Sequence, residues 1–353
     1  MFIGGAFGYI ADYGVWLTMF ASVLVHTWCF FKFFPRRRYR RTGMMLGNAL
    51  VFACMLGAVA LVAETYLRFM SVATDSFGVT LPARRWFALY TDLNALGCRD
   101  RAWSMDKPPD VRRIAFVGDS FTYGWGVKRV EDRFTDMLQR RFDEATEERV
   151  EVMNVAKPGW DTGDEIQPIA AMIRAYGVDE IVLCYVINDI ERLLPTSDDF
   201  DPKRPPQSQI FNTDSSMLVE YLYYRVVVPR KATVRRYEGW LADGYADAGT
   251  WRRQRQRLGA IMDLCRKHDV TFRVVLMPLL RTGTGRLDQA AIHEQLTRVF
   301  RAREVPLIDL LPVVSAERAE DLVVSGADAH PNERAHRMFA DAIWRAFYAT
   351  GGP

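Results

Sequence analysis

Two uninterrupted apolar stretches stand near the start of the chain, at residues 13–31 and 42–63. Neither contains a charged residue, and each matches the roughly 20 apolar residues that a helix needs to cross a bilayer. The pattern predicts two membrane-spanning helices, at about residues 13–34 and 43–63. Buried helices of a soluble domain are the alternative. A cleaved signal peptide fits poorly, because the basic residues follow the first apolar stretch instead of preceding it.

The short loop between the two stretches is strongly basic. It contributes Lys32, Arg36, Arg37, Arg38, Arg40 and Arg41. Basic loops of this length stay on the cytoplasmic side of a membrane. We therefore expect a bacterial inner (cell) membrane protein whose N-terminus, and everything after Ala63, face the periplasm or the outside.

From Arg113 onward, short apolar runs alternate with segments of helical periodicity. The runs predict strands at 114–117, 150–155, 180–186, 270–277 and 306–310, and the periodic segments predict helices at 131–148, 163–176, 250–268, 290–303 and 333–348. Such an alternation is typical of an α/β domain whose parallel sheet is covered by helices on both faces. Functional residues of these sheets gather at the carboxyl ends of the strands.

The pattern divides the chain into three parts: an anchor at residues 1–68, a connector at 69–108 and an α/β domain at 109–353. The α/β domain carries an insertion at about 193–248 that is rich in aromatic residues. We expect a helix over 217–228 that covers the edge of the sheet; a wall of a substrate groove is the alternative.

Charge and cysteine content exclude several classes of function. The formal net charge is only +3, which gives no reason to expect nucleic acid as a partner. The five cysteines lack the close spacing of a zinc or redox motif, so we interpret them as buried free thiols.

Polar or conformationally special residues follow three of the predicted strands. Ser120 comes directly after a strand that ends in Gly-Asp, which places its hydroxyl on a tight turn. Gly159 follows the second strand and lets a backbone N–H approach a ligand closely. Asn188 follows the third strand and offers an amide donor to the same crevice. An ordinary turn glycine and a helix-capping asparagine are the alternatives at the last two positions.

A fourth segment, Asp328-Ala329-His330-Pro331-Asn332, leads into the last helix. A neutral imidazole is a natural base near pH 7, and a nearby carboxylate can hold its tautomer. Together the four segments supply a serine nucleophile, a histidine base, an orienting acid and oxyanion donors from Ser120 N–H, Gly159 N–H and Asn188. These are the groups that acyl transfer through serine requires.

With these motifs the sequence resembles the SGNH/GDSL hydrolase family over about residues 111–348. The four blocks of the family correspond to the segments around Ser120, Gly159, Asn188 and His330. The resemblance implies a three-layer α/β/α, flavodoxin-like fold, with no metal and no organic cofactor.

Two positions depart from the family pattern. Val186 stands where the third block usually has glycine, and Ala327 stands where the last block usually has its aspartate. The acid here is Asp328, two residues before the histidine instead of three. Either Asp328 reaches the imidazole from a distorted loop, or a backbone carbonyl orients a Ser–His pair.

The expected function is a serine-dependent carboxylester hydrolase that acts on O-acyl esters of the cell envelope, such as acylated glycans. An O-acyltransferase that modifies an exported polysaccharide beside a membrane acyl exporter is the alternative. A binding module that has lost activity is a third interpretation, motivated by the two departures.

Overall fold

The computed structural model describes residues 3–34, 40–76, 78, 80–145, 147–196, 216–230, 232–280 and 287–349. The chain divides into two compact units. The hairpin unit comprises Met1–Ala73, Val79–Ala83 and Arg204–Arg230, and the sheet unit comprises Thr74–Gly78, Arg84–Lys203 and Lys231–Pro353.

The hairpin unit is built on two long helices, α1 (Ile3–Phe33) and α2 (Arg40–Phe69). Both are long and apolar enough to cross a membrane, as the sequence predicts. Small residues let them pack closely: a Cβ on Gly57 would lie 2.9 Å from the ring of Phe20. The basic residues Arg36, Arg37 and Arg38 of the predicted loop lie outside the described residues.

Polar contacts fix the antiparallel register of the two helices. At one end the hydroxyls of Tyr13 and Thr65 are 2.6 Å apart, and nearer the other end Thr27 Oγ1 lies 3.2 Å from Cys54 Sγ. Thr65 also donates to the carbonyl of Leu61 in its own helix. These polar side chains therefore have partners within the hairpin unit, which lowers the cost of placing them in apolar surroundings.

The sheet unit contains a parallel five-stranded sheet, which confirms the predicted fold class. Its strands are β1 (Val111–Gly118), β2 (Arg149–Ala156), β3 (Glu180–Val186), β4 (Thr271–Met277) and β5 (Leu307–Asp309). Their order is β2-β1-β3-β4-β5. β3 is buried along its whole length, as expected of a strand covered on both faces.

Helices cover both faces of this sheet. The larger ones are α5 (Phe134–Ala145), α6 (Thr162–Tyr176), α8 (Ala232–Ala246), α9 (Ala248–Lys267), α10 (Gln289–Arg301) and α13 (Glu333–Phe347). α5 and α13 pack against one face, where Phe116, Phe134 and Phe339 share a core. α6 and α9 pack against the other through Ile169 and Ile261.

Several shorter elements complete the described chain. They are α3 (Leu81–Tyr90), α4 (Ser120–Tyr123), α7 (Met217–Leu222), α11 (Leu311–Val314), α12 (Ala319–Leu322) and the strands β6 (Val323–Ser325) and β7 (Asp328–Pro331). β6 and β7 form an antiparallel pair that sequence periodicity does not reveal.

The insertion contributes to both units. The first half of the insertion consists of α7 and the helical turns after it, so the expected helix over 217–228 is present. This helical segment belongs to the hairpin unit, together with α2. The second half of the insertion, α8, covers the sheet, with Leu241 and Tyr245 packed on Leu183. Residues 197–215 lie outside the described residues.

Candidate active site

Ser120 begins the short helix α4 immediately beyond β1. The strand ends at Gly118, and Asp119 caps the helix by accepting a hydrogen bond of 2.8 Å from Phe121 N–H. The first amides of a helix have no acceptor within it, so Ser120 N–H is free of intrahelical bonding. Gly118 is required because a Cβ there would lie 2.3 Å from Thr122 Oγ1.

His330 and Asp328 lie two residues apart on β7. Alternate residues of a strand point to the same face, so both side chains are directed to one side of the antiparallel pair of β6 and β7. His330 Nδ1 is 2.6 Å from Asp328 Oδ1, and His330 Nε2 is 2.8 Å from Ser120 Oγ. The strand geometry explains why an aspartate two residues before the histidine reaches it without a distorted loop.

The electrostatics of the pair favour a charged imidazolium. Burial by itself lowers the pKa of His330, but the carboxylate of Asp328 outweighs burial, and the pKa lies above its ordinary value of 6.5. Burial by itself raises the pKa of Asp328, but the charge and hydrogen bonds of His330 outweigh that, and the pKa lies below 3.8. Asp328 is fully buried, so solvent screens this pair weakly.

Sheet register brings the other two predicted segments beside Ser120. β1 lies between β2 and β3, and Gly118 is paired with Ala156 on one side and Cys184 on the other. The loops that carry Gly159 and Asn188 therefore flank the serine turn. Gly159 has a φ of +79°, which favours glycine, and a Cβ there would meet nothing within 4 Å.

Asn188 is held in place by the residue before the serine. Its amide nitrogen donates to Asp119 Oδ2 at 3.3 Å. An amide carries two hydrogens, so the second is left for a ligand in the crevice. Asp119 therefore links the helix that starts at Ser120 to the loop after β3.

Two more carboxylates are buried close behind this turn, and the sequence did not single them out. Glu165 on α6 and Asp189 after β3 are both completely buried. Within the described part of the chain, neither oxygen of Glu165 has a hydrogen-bond partner. Burial first, and then the charges of Asp119 and its neighbours, raise the pKa of Glu165 well above 4.5. Burial and the same carboxylates raise the pKa of Asp189.

An arginine before the sheet supports the far end of α4. Arg99 is fully buried; its Nη1 donates to the carbonyl of Gly124 at 3.0 Å, and its Nη2 donates to Lys128 O at 3.0 Å. Gly124 ends α4 with a φ of +75°. The sequence around Arg99 does not identify a partner 25 residues away.

Two other histidines of the sheet unit are buried. His336 on α13 stacks against Phe134. His293 on α10 is 1% exposed, and its Nδ1 lies 2.7 Å from Asp309 Oδ1. Among the residues that the structure describes, no cluster of three His, Cys, Asp or Glu is arranged to hold a metal ion.

Comparison with known families agrees with this geometry. The model of the GDSL-like Lipase/Acylhydrolase family matches residues 116–338, which is well over half of the chain. The chain belongs to this family. The match begins within β1, just before the GDSL-type serine turn, and ends within α13, just after the histidine-bearing strand.

Solved structures with similarity to this GDSL-family chain have low sequence identity. TesA is 13% identical, with 67% of this chain and 98% of that chain covered and a TM-score of 0.44. A lipolytic protein of the G-D-S-L family from Veillonella parvula DSM 2008 is 18% identical, with 68% and 100% covered and a TM-score of 0.42.

A two-domain esterase active on acetylated mannans is 14% identical, with 67% of this chain and 48% of that chain covered and a TM-score of 0.36. No curated protein sequence matches the chain significantly. The family assignment rests on the family model, and these distant similarities add nothing about the substrate.

Proposed function

We propose that this GDSL-family chain is a membrane-anchored carboxylester hydrolase that works through an acyl-enzyme on Ser120. The observation that carries the proposal is the continuous chain of contacts from Ser120 Oγ through the His330 ring to Asp328, at 2.8 and 2.6 Å. A nucleophile, its base and an orienting acid within hydrogen-bond reach are the arrangement that activates serine.

In the proposed reaction, Ser120 Oγ attacks the ester carbonyl while His330 Nε2 takes the hydroxyl proton. The oxyanion accepts hydrogen bonds from Ser120 N–H, Gly159 N–H and the Asn188 amide. His330 returns the proton to the departing alcohol, which leaves an acyl group on Ser120. Water then attacks that acyl group, His330 again takes and returns the proton, and the free acid departs.

The anchor is supported by the surface of the hairpin unit. Large apolar side chains are exposed along both helices, for example Val25 on α1 and Val62 on α2, each more than half exposed. Aromatic residues lie at the helix ends, where Tyr13 packs edge-on against Phe69. Apolar flanks with aromatic ends are typical of spanning helices.

The basic residues at the start of α2 and the end of α1 favour a cytoplasmic position for the loop between them, because basic loops prefer that side. The catalytic unit then faces the periplasm or the outside. Esters within its reach there are the O-acyl groups of envelope glycans and lipids, which we propose as the substrate class.

The test uses the full chain in detergent micelles, a fluorophosphonate probe and p-nitrophenyl acetate. We expect one probe adduct per chain by intact mass and steady turnover of the ester. Ser120→Ala should lose both, and Ser315→Ala, an exposed serine of the same unit, should keep both. A wild-type chain that gives no adduct, or a Ser120→Ala variant that still gives one, would contradict the proposal.

The same assay separates hydrolysis from acyl transfer. A single burst of one equivalent, followed by sustained release only after an oligosaccharide is added, would assign an O-acyltransferase. In that enzyme a sugar hydroxyl replaces water in the second step. Steady release without a sugar assigns the hydrolase.

A further inference from the structure

A helical run at Met217–Arg230 presents an apolar face to its surroundings. It starts as α7, continues as a π-helical turn over Tyr223–Val227 and ends in a 3₁₀ turn over Val228–Arg230. The large apolar residues on its outer side are each more than two-fifths exposed: Tyr221, Leu222, Val226 and Val227. Exposed patches of this kind mark interaction sites.

The opposite face of the run is fastened to the end of α2. Met217, Glu220 and Tyr223 are buried there. Glu220 accepts a hydrogen bond of 3.3 Å from Leu81 N–H, and Leu81 belongs to the same unit. The run is therefore a fixed part of the hairpin unit, with one face occupied and the other not covered by any residue that the structure describes.

Glu64 of α2 makes the strongest of these connections. Its carboxylate accepts hydrogen bonds from the hydroxyl of Ser216 at 2.9 Å and from the backbone N–H of Met217 and Leu218 at 3.0 and 2.8 Å. These are the first amides of α7, which have no acceptor in their own helix. Arg68, one turn later in α2, pairs with the same carboxylate at 2.6 Å.

The position of Glu64 along α2 sets the height of the run in a membrane. Glu64 is 23 residues after Arg41 in one continuous helix, which is about 35 Å at 1.5 Å per residue. The hydrocarbon core is roughly 30 Å thick. If the basic end of α2 lies at one interface, Glu64 lies at the other, together with the exposed Tyr66 and Phe69.

We propose that the run at 217–230 lies in that outer interface, with its exposed face inserted into the lipid headgroup region of the bilayer that α1 and α2 cross. Leu222, Val226 and Val227 would contact acyl chains and Tyr221 the headgroup boundary. The exposed Arg225 and Arg230 carry the charge that phosphate headgroups attract. Helices that lie in an interface combine an apolar face with basic residues in this way.

This inference rests on the proposed membrane anchor, and the run packs against the end of α2 that carries the exposed Tyr66 and Phe69. A protein partner would have to cover the face at the height where lipid headgroups already surround the unit. Lipid is therefore the occupant that the height and composition of the face favour.

The test measures collision of a spin label with oxygen, which concentrates in lipid, and with a nickel chelate, which stays in water. The full chain is placed in lipid nanodiscs after Cys29→Ala and Cys54→Ala. The remaining cysteines, Cys98, Cys184 and Cys265, are buried, and burial raises the pKa of their thiols, which protects them from labelling. Labels are attached at Leu222→Cys and Val226→Cys.

Two further labels serve as controls, Val62→Cys on the exposed side of α2 and Ser315→Cys on the sheet unit. We expect labels at 222, 226 and 62 to collide more often with oxygen than with the chelate, and the label at 315 to show the reverse.

The possible results separate the inference from the anchor on which it rests. A lipid signal at 62 with a water signal at 222 and 226 would overturn the inference and leave the anchor intact. A water signal at 62 as well would overturn the anchor. Labels at 222 and 226 that are shielded from both reagents would mean that a protein covers the face, which also overturns the assignment to lipid.

Discussion

The two units of the molecule each bury a glutamate on a helix, and they treat its charge in opposite ways. Glu64 of the hairpin unit accepts hydrogen bonds from a hydroxyl and two backbone amides and pairs with Arg68. Glu165 of the sheet unit has no hydrogen-bond partner among the described residues, and the charges of three aspartates, Asp119, Asp161 and Asp164, act on it. The first arrangement fastens two segments, whereas the second costs stability beside the serine turn.

The two units therefore differ in whether a buried carboxylate is compensated by neighbouring donors. In the hairpin unit a buried ion is tolerated because every lone pair is occupied. In the sheet unit, the carboxylate of Glu165 is buried behind the loops that carry Ser120 and Asn188, and no described residue compensates its charge. Sites that perform chemistry commonly hold such strained or perturbed groups.

The largest expected effect tests the carboxylate of the site that pairs with His330. Asp328→Asn should lower kcat by roughly 10²- to 10⁴-fold, because the amide no longer stabilises the imidazolium. It also removes the charge that raises the pKa of His330, so His330 loses its proton at lower pH. The acid limb of the kcat/KM profile should therefore move to lower pH.

The matched control for this change is Glu320→Gln. Glu320 is an exposed acid on α12, directly before β6, and its substitution should leave the kcat/KM profile unchanged. An Asp328→Asn variant with full kcat would mean that a backbone group orients His330, as the sequence alternative holds.

The second-largest expected effect comes from substitution of Glu64, the glutamate of the hairpin unit whose charge is compensated. Glu64→Ala should destabilise the docking of α7 by about 3–5 kcal/mol, because it removes the carboxylate that accepts hydrogen bonds from the start of α7 and pairs with Arg68. Hydrogen exchange of the amides of Met217 and Leu218 in nanodiscs measures this directly, and both should lose protection.

Glu144→Ala, an exposed glutamate of the sheet unit, is the control and should change neither amide. Unchanged protection in Glu64→Ala would show that burial of Met217 and Tyr223 alone holds the run against α2.

The smallest expected effect has the opposite sign. Glu165→Gln should stabilise the sheet unit at neutral pH, because it removes a buried carboxylate without partners. The pKa of Glu165 is raised in the folded state, so its cost is absent below about pH 4.5, where both states hold the proton. Above that pH the unfolded state loses the proton before the folded state does. The destabilisation caused by Glu165 therefore grows with pH until the pH reaches the pKa of Glu165 in the folded state.

Thermal unfolding of Glu165→Gln and the wild-type chain as a function of pH measures this difference. The two midpoints should coincide in acid and separate progressively toward neutral pH, and Glu147→Gln, an exposed control, should follow the wild type throughout. A variant that is less stable at neutral pH would mean that Glu165 has a partner in solution.

Local sequence pattern predicted the sheet well, because buried parallel strands are short apolar runs. The predicted strand at 180–186 coincides with β3, and the predicted helix at 163–176 differs from α6 by one residue. It missed the strand that carries His330, since Asp-Ala-His-Pro has no apolar alternation.

Contacts between distant segments were beyond sequence reasoning for a different reason. The buried His293 contacts Asp309 in β5, and Glu64 accepts a hydrogen bond from Ser216, which is 152 residues away. Periodicity reports only the neighbours along an element. The serine, glycine, asparagine and histidine segments were found because each follows a strand or precedes a helix that periodicity does reveal.

The hydrogen bonds between Glu64 and the start of α7 have a practical consequence for protein production. A common way to obtain a soluble enzyme is to delete its N-terminal membrane helices. Deletion through Phe69 would remove the acceptor of Ser216 and of two backbone amides, and would leave the apolar run at 217–230 in the secreted product. A shortened chain therefore needs residues 217–230 replaced by a polar loop as well, or it will aggregate through that segment.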